Sequence, residues 1–256
     1  MKNSINYTRS GSGKTLLFHH GLGADQSQAH RLFEGFEGLD LICPDALGHG
    51  NSLYRESSPP SFIQYADDVM DVLDKEGVDT CIFGGISMGS GISLNIALRF
   101  PKRVKALILV RPAWLDKGRP ENLEILLSIA EVINHPAGKT TFENSEEFLK
   151  VKADLPKAAA SIMGQFSRSQ GNYTAEVLNH LVKDKPFDRM SDLANISIPT
   201  LILGNDDDPL HPWEMAEEIH RAMPGSKLQK LVSRYIDDTQ HKKEAQAAIS
   251  AFLHSL

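Results

Sequence analysis

Ser87 lies at the centre of the segment Gly85-Ile86-Ser87-Met88-Gly89, between an apolar run that predicts a buried strand and a longer run that predicts a helix. A serine on a sharp strand-to-helix turn matches the nucleophile-elbow pattern G-x-S-x-G. Such a serine needs a strained backbone to lift its hydroxyl clear of the sheet, and a Cβ at Gly85 or Gly89 would collide with neighbouring backbone. The spacing indicates a serine nucleophile; a plain Gly-rich turn that caps the helix is the alternative.

A nucleophilic serine needs donors for the negative charge that develops on the substrate oxygen. The predicted strand 15–20 ends in His20-Gly21-Leu22-Gly23, where a glycine pair lets backbone N–H groups face a cavity. We expect the N–H groups of Leu22 and Met88 to form this oxyanion hole, Met88 being the residue after the nucleophile. Taken alone, the glycine pair also fits an ordinary turn.

The acid that orients the base is expected after the predicted strand 199–204, where three carboxylates follow one another at 206–208. Three adjacent carboxylates cannot all be buried cheaply, so one should turn inward while the others stay solvated. Pro209 fixes the turn immediately after Asp208. Asp208 is therefore the predicted acid, and Asp207 is the alternative.

The general base is sought among ten histidines. His241 follows the last predicted strand and precedes the C-terminal helix, where a loop would bring it over Ser87. His211 follows the acid so closely that we expect no useful geometry between them. His20 is expected to be a structural hydrogen-bonding residue, and His49 to brace a loop. His241 is the predicted base.

Strand patterns alternate with helical patterns along most of the chain, which predicts an α/β fold with a parallel sheet covered by helices on both faces. The predicted strands are 5–9, 15–20, 39–44, 79–84, 105–111, 199–204 and 226–232. The predicted helices are 27–36, 61–76, 88–99, 212–223 and 241–254. We expect a mostly parallel sheet of about seven to eight strands flanked by helices, with a helical cap insertion.

The segment 113–198 has no strand pattern and carries helical patterns at 121–134, 145–153, 157–167 and 174–183. We expect residues 1–112 and 199–256 to form the core domain and 113–198 to form a cap over the carboxyl ends of the strands, where open α/β sheets bind ligands. The candidate pocket residues are Trp114, Ile162, Met163, Phe166 and Tyr173. Packing between cap helices explains them equally well.

The chain has 256 residues and a net charge of −6, which argues against a nucleic-acid partner and a basic membrane-binding face. Its N-terminus has no signal-peptide core, and no apolar stretch is long enough to cross a bilayer, so we expect a cytoplasmic protein.

Residues 8–15 look like a P-loop, but a strand pattern follows them where that motif needs a helix. The two cysteines have no metal-ligand spacing. We expect neither cofactor nor metal.

The chain order Ser87, Asp208, His241 resembles that of the α/β-hydrolase superfamily. Further matching features are His20-Gly21-Leu22-Gly23, Pro44-Asp45-Ala46-Leu47-Gly48-His49-Gly50-Asn51-Ser52 and Phe100-Pro101-Lys102-Arg103-Val104. Two departures stand out: Ala46 or Leu47 replaces a basic residue, and Gln240 replaces the glycine that commonly precedes the histidine. In this fold the strand at 15–20 lies between those at 39–44 and 79–84. Cys43 and Cys81 are then roughly 9–10 Å apart and should be free thiols.

The resemblance implies a cofactor-free serine hydrolase that acts on small carboxylic esters, thioesters or lactones through an acyl-enzyme. The expected partner is a small ester-like substrate, and the expected state is a monomer or homodimer. The balanced charge of the cap favours a modest acyl or alkyl group over a strongly anionic substrate. A C–C bond hydrolase, a cofactor-free haloperoxidase and a ligand-sensing protein on the same scaffold are the alternatives.

Overall fold

A computed structural model of the chain describes residues 5–54, 56–168 and 170–256. Parts of the predicted core and cap at 1–4, 55 and 169 lie outside the described residues. In the described part, no helix is long and apolar enough to cross a membrane.

Seven strands form one sheet in the order β1-β3-β2-β4-β5-β6-β7. The strands are β1 Tyr7–Gly11, β2 Lys14–His19, β3 Leu39–Pro44, β4 Cys81–Ile86, β5 Val104–Val110, β6 Thr200–Gly204 and β7 Lys227–Lys230. Only β1 pairs antiparallel, with β3, and the other pairings are parallel. The predicted fold class is confirmed. Because β2 to β7 are parallel, the residues that follow β2, β4, β5 and β6 meet at one edge.

Ten α-helices lie in the described residues. They are α1 Ser27–Leu32, α2 Phe62–Lys75, α3 Met88–Arg99, α4 Glu124–Val132, α5 Gly138–Glu143, α6 Glu146–Asp154, α7 Pro156–Met163, α8 Thr174–Lys183, α9 Trp213–Ala222 and α10 Asp238–His254. Short 3-10 turns complete the segment 113–198, whose described regular elements are all helical. Apolar clusters fill both faces of the sheet, as a parallel sheet requires.

The start of α10 differs from the prediction. Asp237 caps the helix by accepting a hydrogen bond from the N–H of Gln240 at 3.0 Å, so the helix begins at Asp238 and not at His241. His241 therefore lies in the first turn of α10. The expectation that it hangs from a loop is wrong.

Both cysteines are free, as predicted from the strand order. Strand β2 lies between β3, which carries Cys43, and β4, which begins at Cys81. Both thiols are fully buried, and burial raises the pKa of each to about 12. Their role is that of small core side chains.

Candidate active site

Ser87 stands between β4 and α3 with φ 56° and ψ −111°, a backbone conformation that side chains rarely adopt. Its N–H donates to the carbonyl of Val110 at 2.9 Å, which ties the turn to the neighbouring strand β5. A Cβ at Gly85 would stand 2.4 Å from the backbone of Gly89, and one at Gly89 would stand 2.5 Å from the carbonyl oxygen of His19. The expected requirement for glycine at both positions is confirmed. The strain places the hydroxyl at the carboxyl edge of the sheet.

The turn after β2 is held in one orientation by His20. The Nδ1–H of His20 donates to the carbonyl of Gly21 at 2.8 Å, and its Nε2 accepts from the N–H of Ala46 at 3.1 Å. The same carbonyl of Gly21 also accepts from the N–H of Ala24 at 3.1 Å. Because the C=O and N–H of a trans peptide point in opposite directions, the N–H of Leu22 points away from these groups. His20 thus has the structural role predicted for it.

The second predicted oxyanion donor is at the start of a helix. Met88 is the first residue of α3, where a helix has no carbonyl of its own to pair with the N–H. Leu22 lines the same cavity as Ser87. The placement of Leu22 and Met88 is thus compatible with the predicted oxyanion hole.

Asp208 follows β6 and is buried, whereas Asp206 and Asp207 are exposed. This is the division of the three carboxylates that we expected. The Oδ2 of Asp208 accepts from Nη1 of Arg111 at 3.0 Å, and its Oδ1 accepts from Nδ1 of His211 at 2.9 Å. Burial alone would raise the pKa of Asp208, but the charges of His211 and Arg111 and the hydrogen bonds hold it well below its ordinary value. Asp208 is therefore an ionised acceptor.

The expectation that His211 is too close to Asp208 for useful geometry is wrong. The backbone turns after Asp208, and the N–H of His211 closes the turn on the carbonyl of Asp208 at 3.2 Å. This turn brings the two side chains together. The hydrogen bond to Asp208 makes Nδ1 the protonated nitrogen, so Nε2 is left to accept a proton. Burial lowers the pKa of His211; Asp208 opposes the shift, and Arg111 and Arg234 add to it.

Among the described residues, no hydrogen bond joins His241 to Asp208. Within the described residues, Nδ1 of His241 donates a hydrogen bond to the carbonyl of Val232 at 2.7 Å. Burial and the charges of Arg111 and Arg234 lower its pKa. The predicted pairing of Asp208 with His241 is not observed. Helix α10 starts before His241, and the ring of His241 is hydrogen-bonded to Val232 instead.

A cavity of about 170 Å³ opens beside Ser87. Its lining combines the elbow, the turn after β2, Arg111, the Asp208–His211 turn, part of the helical segment 113–198 and the segment before α10. The lining includes Ser87, Leu22, Arg111, His211, Trp114, Leu123, Leu126, Ser161, Gln165, Leu210, Arg234 and Tyr235. His241 does not belong to this lining. Ser87 and His211 therefore line the same cavity.

Of the five candidate pocket residues, only Trp114 lines this cavity. Ile162 is buried in the core, and Met163 packs against that core. The ring of Phe166 packs 5.8 Å from that of Phe142, and Tyr173 stacks on Tyr54 at 4.6 Å. Ile162, Met163 and Phe166 thus have packing roles, which is the alternative that the sequence left open, whereas Tyr173 is partly exposed and contacts Tyr54 outside the segment 113–198.

The sequence analysis did not single out several lining residues, and Arg111, Arg234 and Tyr235 are the most polar or aromatic of those near Ser87 and His211. Arg111 directly follows β5, so its place at the carboxyl edge was readable from the strand alternation. Arg234 and Tyr235 lie between β7 and α10 and carry no comparable signal.

His49, whose Nδ1 bonds to the carbonyl of Leu47 at 3.1 Å, braces its loop as expected.

The sequence profile described as alpha/beta hydrolase fold matches residues 14–237. The chain belongs to the α/β-hydrolase fold family. It is 30% identical over 235 residues to Lipase 1 of Psychrobacter immobilis, covering 87% of this chain and 71% of that protein. It is 29% identical over 228 residues to Lipase 3 of Moraxella sp. (strain TA144), covering 85% of this chain and 70% of that protein.

Solved structures agree with the fold. The enol-lactonase from Burkholderia xenovorans LB400 superposes with a TM-score of 0.77 at 18% identity, covering 98% of this chain and 96% of that one. At this identity the likeness bears on the fold alone. Together with the lipase relatives, the family match makes this chain an α/β-hydrolase enzyme. In the described residues, no cluster of three or more His, Cys, Asp or Glu side chains is arranged to hold a metal ion.

Proposed function

We propose that this α/β-hydrolase is a cofactor-free serine hydrolase of small carboxylic esters, thioesters or lactones. Ser87 is the nucleophile, His211 the general base and Asp208 the acid that orients it. The observation that carries the proposal is a strained serine in the same cavity as a histidine whose Nδ1 is held by a buried carboxylate. Similarity to two lipases supports ester chemistry.

The proposed reaction starts at the Ser87 hydroxyl. Its oxygen attacks the substrate carbonyl while Nε2 of His211 takes the proton, and Asp208 stabilises the imidazolium. The N–H groups of Leu22 and Met88 bind the oxyanion. The imidazolium then gives its proton to the departing alcohol, thiol or ring oxygen, and an acyl-enzyme remains. Water, deprotonated by His211, attacks this ester and releases the acid.

We further propose that residues 113–198 act as a cap that bounds the substrate site. Trp114, Leu123, Leu126, Ser161 and Gln165 come from this segment and line the cavity beside Ser87. Gln165 also reaches the turn after β2, where its Nε2 lies 3.4 Å from the carbonyl of Leu22. The cap thus contacts the predicted oxyanion turn directly, and it limits the space available for the substrate.

Labelling with a fluorophosphonate tests the nucleophile. We expect modification at Ser87, identified by mass spectrometry, and multiple turnovers on short p-nitrophenyl esters. Ser87→Ala should abolish labelling and lower kcat by at least about 10³-fold. Ser161→Ala, which changes another serine of the same cavity, is the matched control and should keep the label.

Label on Ser161, or full turnover by Ser87→Ala, would contradict the proposal. A single turnover followed by a stable acyl-enzyme would favour the ligand-sensing alternative instead.

A further inference from the structure

The lining of the cavity beside Ser87 contains arginine but no carboxylate. Its lining carries two arginines, Arg111 and Arg234, and His211, but no aspartate or glutamate. This differs from the whole chain, whose net charge is −6. Asp208 pairs with Arg111, so Arg234 is the arginine of the lining that has no carboxylate within hydrogen-bond distance, and its charge acts on the space that a substrate enters.

Asp208 accepts hydrogen bonds from only part of the Arg111 guanidinium. Its Nη1 bonds to Asp208, but among the described contacts its buried Nε has no hydrogen-bond partner. The side chain is only 4% exposed. A buried donor without a partner is unfavourable, and a planar guanidinium presents several donors in a geometry suited to carboxylates. Arg111 is therefore held by Asp208, and its unpartnered Nε lies too deep for a substrate group in the cavity to reach.

The positive charge of Arg234 has no carboxylate within hydrogen-bond distance. Its nearest carboxylate is Asp238, with Nε 3.6 Å from Oδ1, beyond good hydrogen-bond distance. The guanidinium lies 5.6 Å from the ring centre of Tyr235, another lining residue. About a third of the Arg234 side chain is exposed, so it lines the cavity and still reaches solvent. Its charge contributes to the lowered pKa of His211, which agrees with this placement.

The volume of the cavity limits the rest of the substrate. About 170 Å³ is close to the size of a cavity that holds one benzene molecule. A short chain that ends in a charged group fits within this space, whereas a long acyl chain would extend beyond it.

We propose that the substrate is a short ester that carries a carboxylate, and that Arg234 binds this carboxylate beside Ser87. This inference rests on the proposed hydrolase function and replaces the sequence expectation of an apolar acyl or alkyl group without strong negative charge.

Two esters of matched size test the proposal: monomethyl succinate, which is anionic, and its neutral amide isostere, methyl succinamate. We expect kcat/KM to be at least about tenfold higher for monomethyl succinate, since a charge-assisted pair contributes roughly a factor of ten or more. Arg234→Gln should remove most of this ratio, and Arg234→Lys should restore part of it. Arg221→Gln, at an exposed arginine of α9, is the control and should leave the ratio unchanged.

Equal kcat/KM values for the two esters in the wild-type enzyme, or an unchanged ratio in Arg234→Gln, would overturn the inference. Either result leaves the hydrolase function intact as long as both esters are cleaved and Ser87 is labelled. Failure to cleave either ester, with no label on Ser87, would instead reject the hydrolase function itself.

Discussion

His211 and His241 are both buried, and each uses Nδ1 for one hydrogen bond, but the acceptors differ. His211 donates to the carboxylate of Asp208, and His241 donates to the carbonyl of Val232. A carboxylate stabilises an imidazolium by a full charge, whereas a carbonyl offers only a dipole. Only His211 shares the cavity with Ser87. The two histidines thus differ in their hydrogen-bond partner and not in their burial, and this difference is the basis for proposing His211 as the base.

The largest effect is expected from removing the charge that orients His211. Asp208→Asn should lower kcat by about 10³- to 10⁴-fold, because the amide no longer selects the tautomer or stabilises the imidazolium. Steady-state kinetics on a short ester measure the loss. Asp207→Asn, one residue away but exposed, is the matched control and should change kcat less than about threefold. Thermal unfolding of both variants would show whether Arg111, left without its carboxylate, disturbs the fold.

The reverse pattern, with a large loss in Asp207→Asn, would assign the acid to the alternative carboxylate. Full activity in Asp208→Asn with an intact fold would remove the Asp208–His211 pair from the mechanism.

A smaller effect is expected in the pH dependence. The base must be neutral to take a proton from Ser87, so activity falls as pH drops through the pKa of His211. Burial and the two arginines lower this pKa, so the acid limb of kcat/KM should lie below the ordinary histidine value of about 6.5. A pH–rate profile measures it. A limb at or above pH 6.5 would contradict the described surroundings of His211.

The same titration separates the two histidines when it is followed by NMR. Asp208 opposes the lowering of the pKa of His211, and it is not among the causes of the shift of His241. Asp208→Asn should therefore lower the pKa of His211 further and leave that of His241 nearly unchanged. Equal shifts at both imidazoles would place them in one electrostatic environment and weaken the comparison.

Much of the fold followed from local patterns. The seven strands and the core helices were predicted because alternation and helical spacing act over a few residues. The elbow at Ser87 was equally readable, since the contacts that demand glycine at Gly85 and Gly89 lie within the turn or on the adjacent strand. The early start of α10 depended on one cap, Asp237, which the apolar pattern does not reveal.

Only one member of the Asp208–His211 hydrogen-bonded pair was predicted from the sequence. The inward turn of Asp208 followed from Pro209 and the cost of burying three carboxylates. Its partner depended on a tight turn, which puts His211 beside Asp208, and on the long-range approach of Arg111. His211 lies three residues after Asp208, and a turn of four residues brings its two ends together, so this short separation permits the hydrogen bond that the sequence analysis did not expect.

The most direct test compares kcat/KM for His211→Gln and His241→Gln on one short ester, with thermal unfolding to verify the fold of each. The described geometry predicts a loss of at least about 10³-fold for His211→Gln and of less than about tenfold for His241→Gln. A large loss in His241→Gln together with near wild-type activity in His211→Gln would contradict the central claim that Asp208 and His211 activate Ser87.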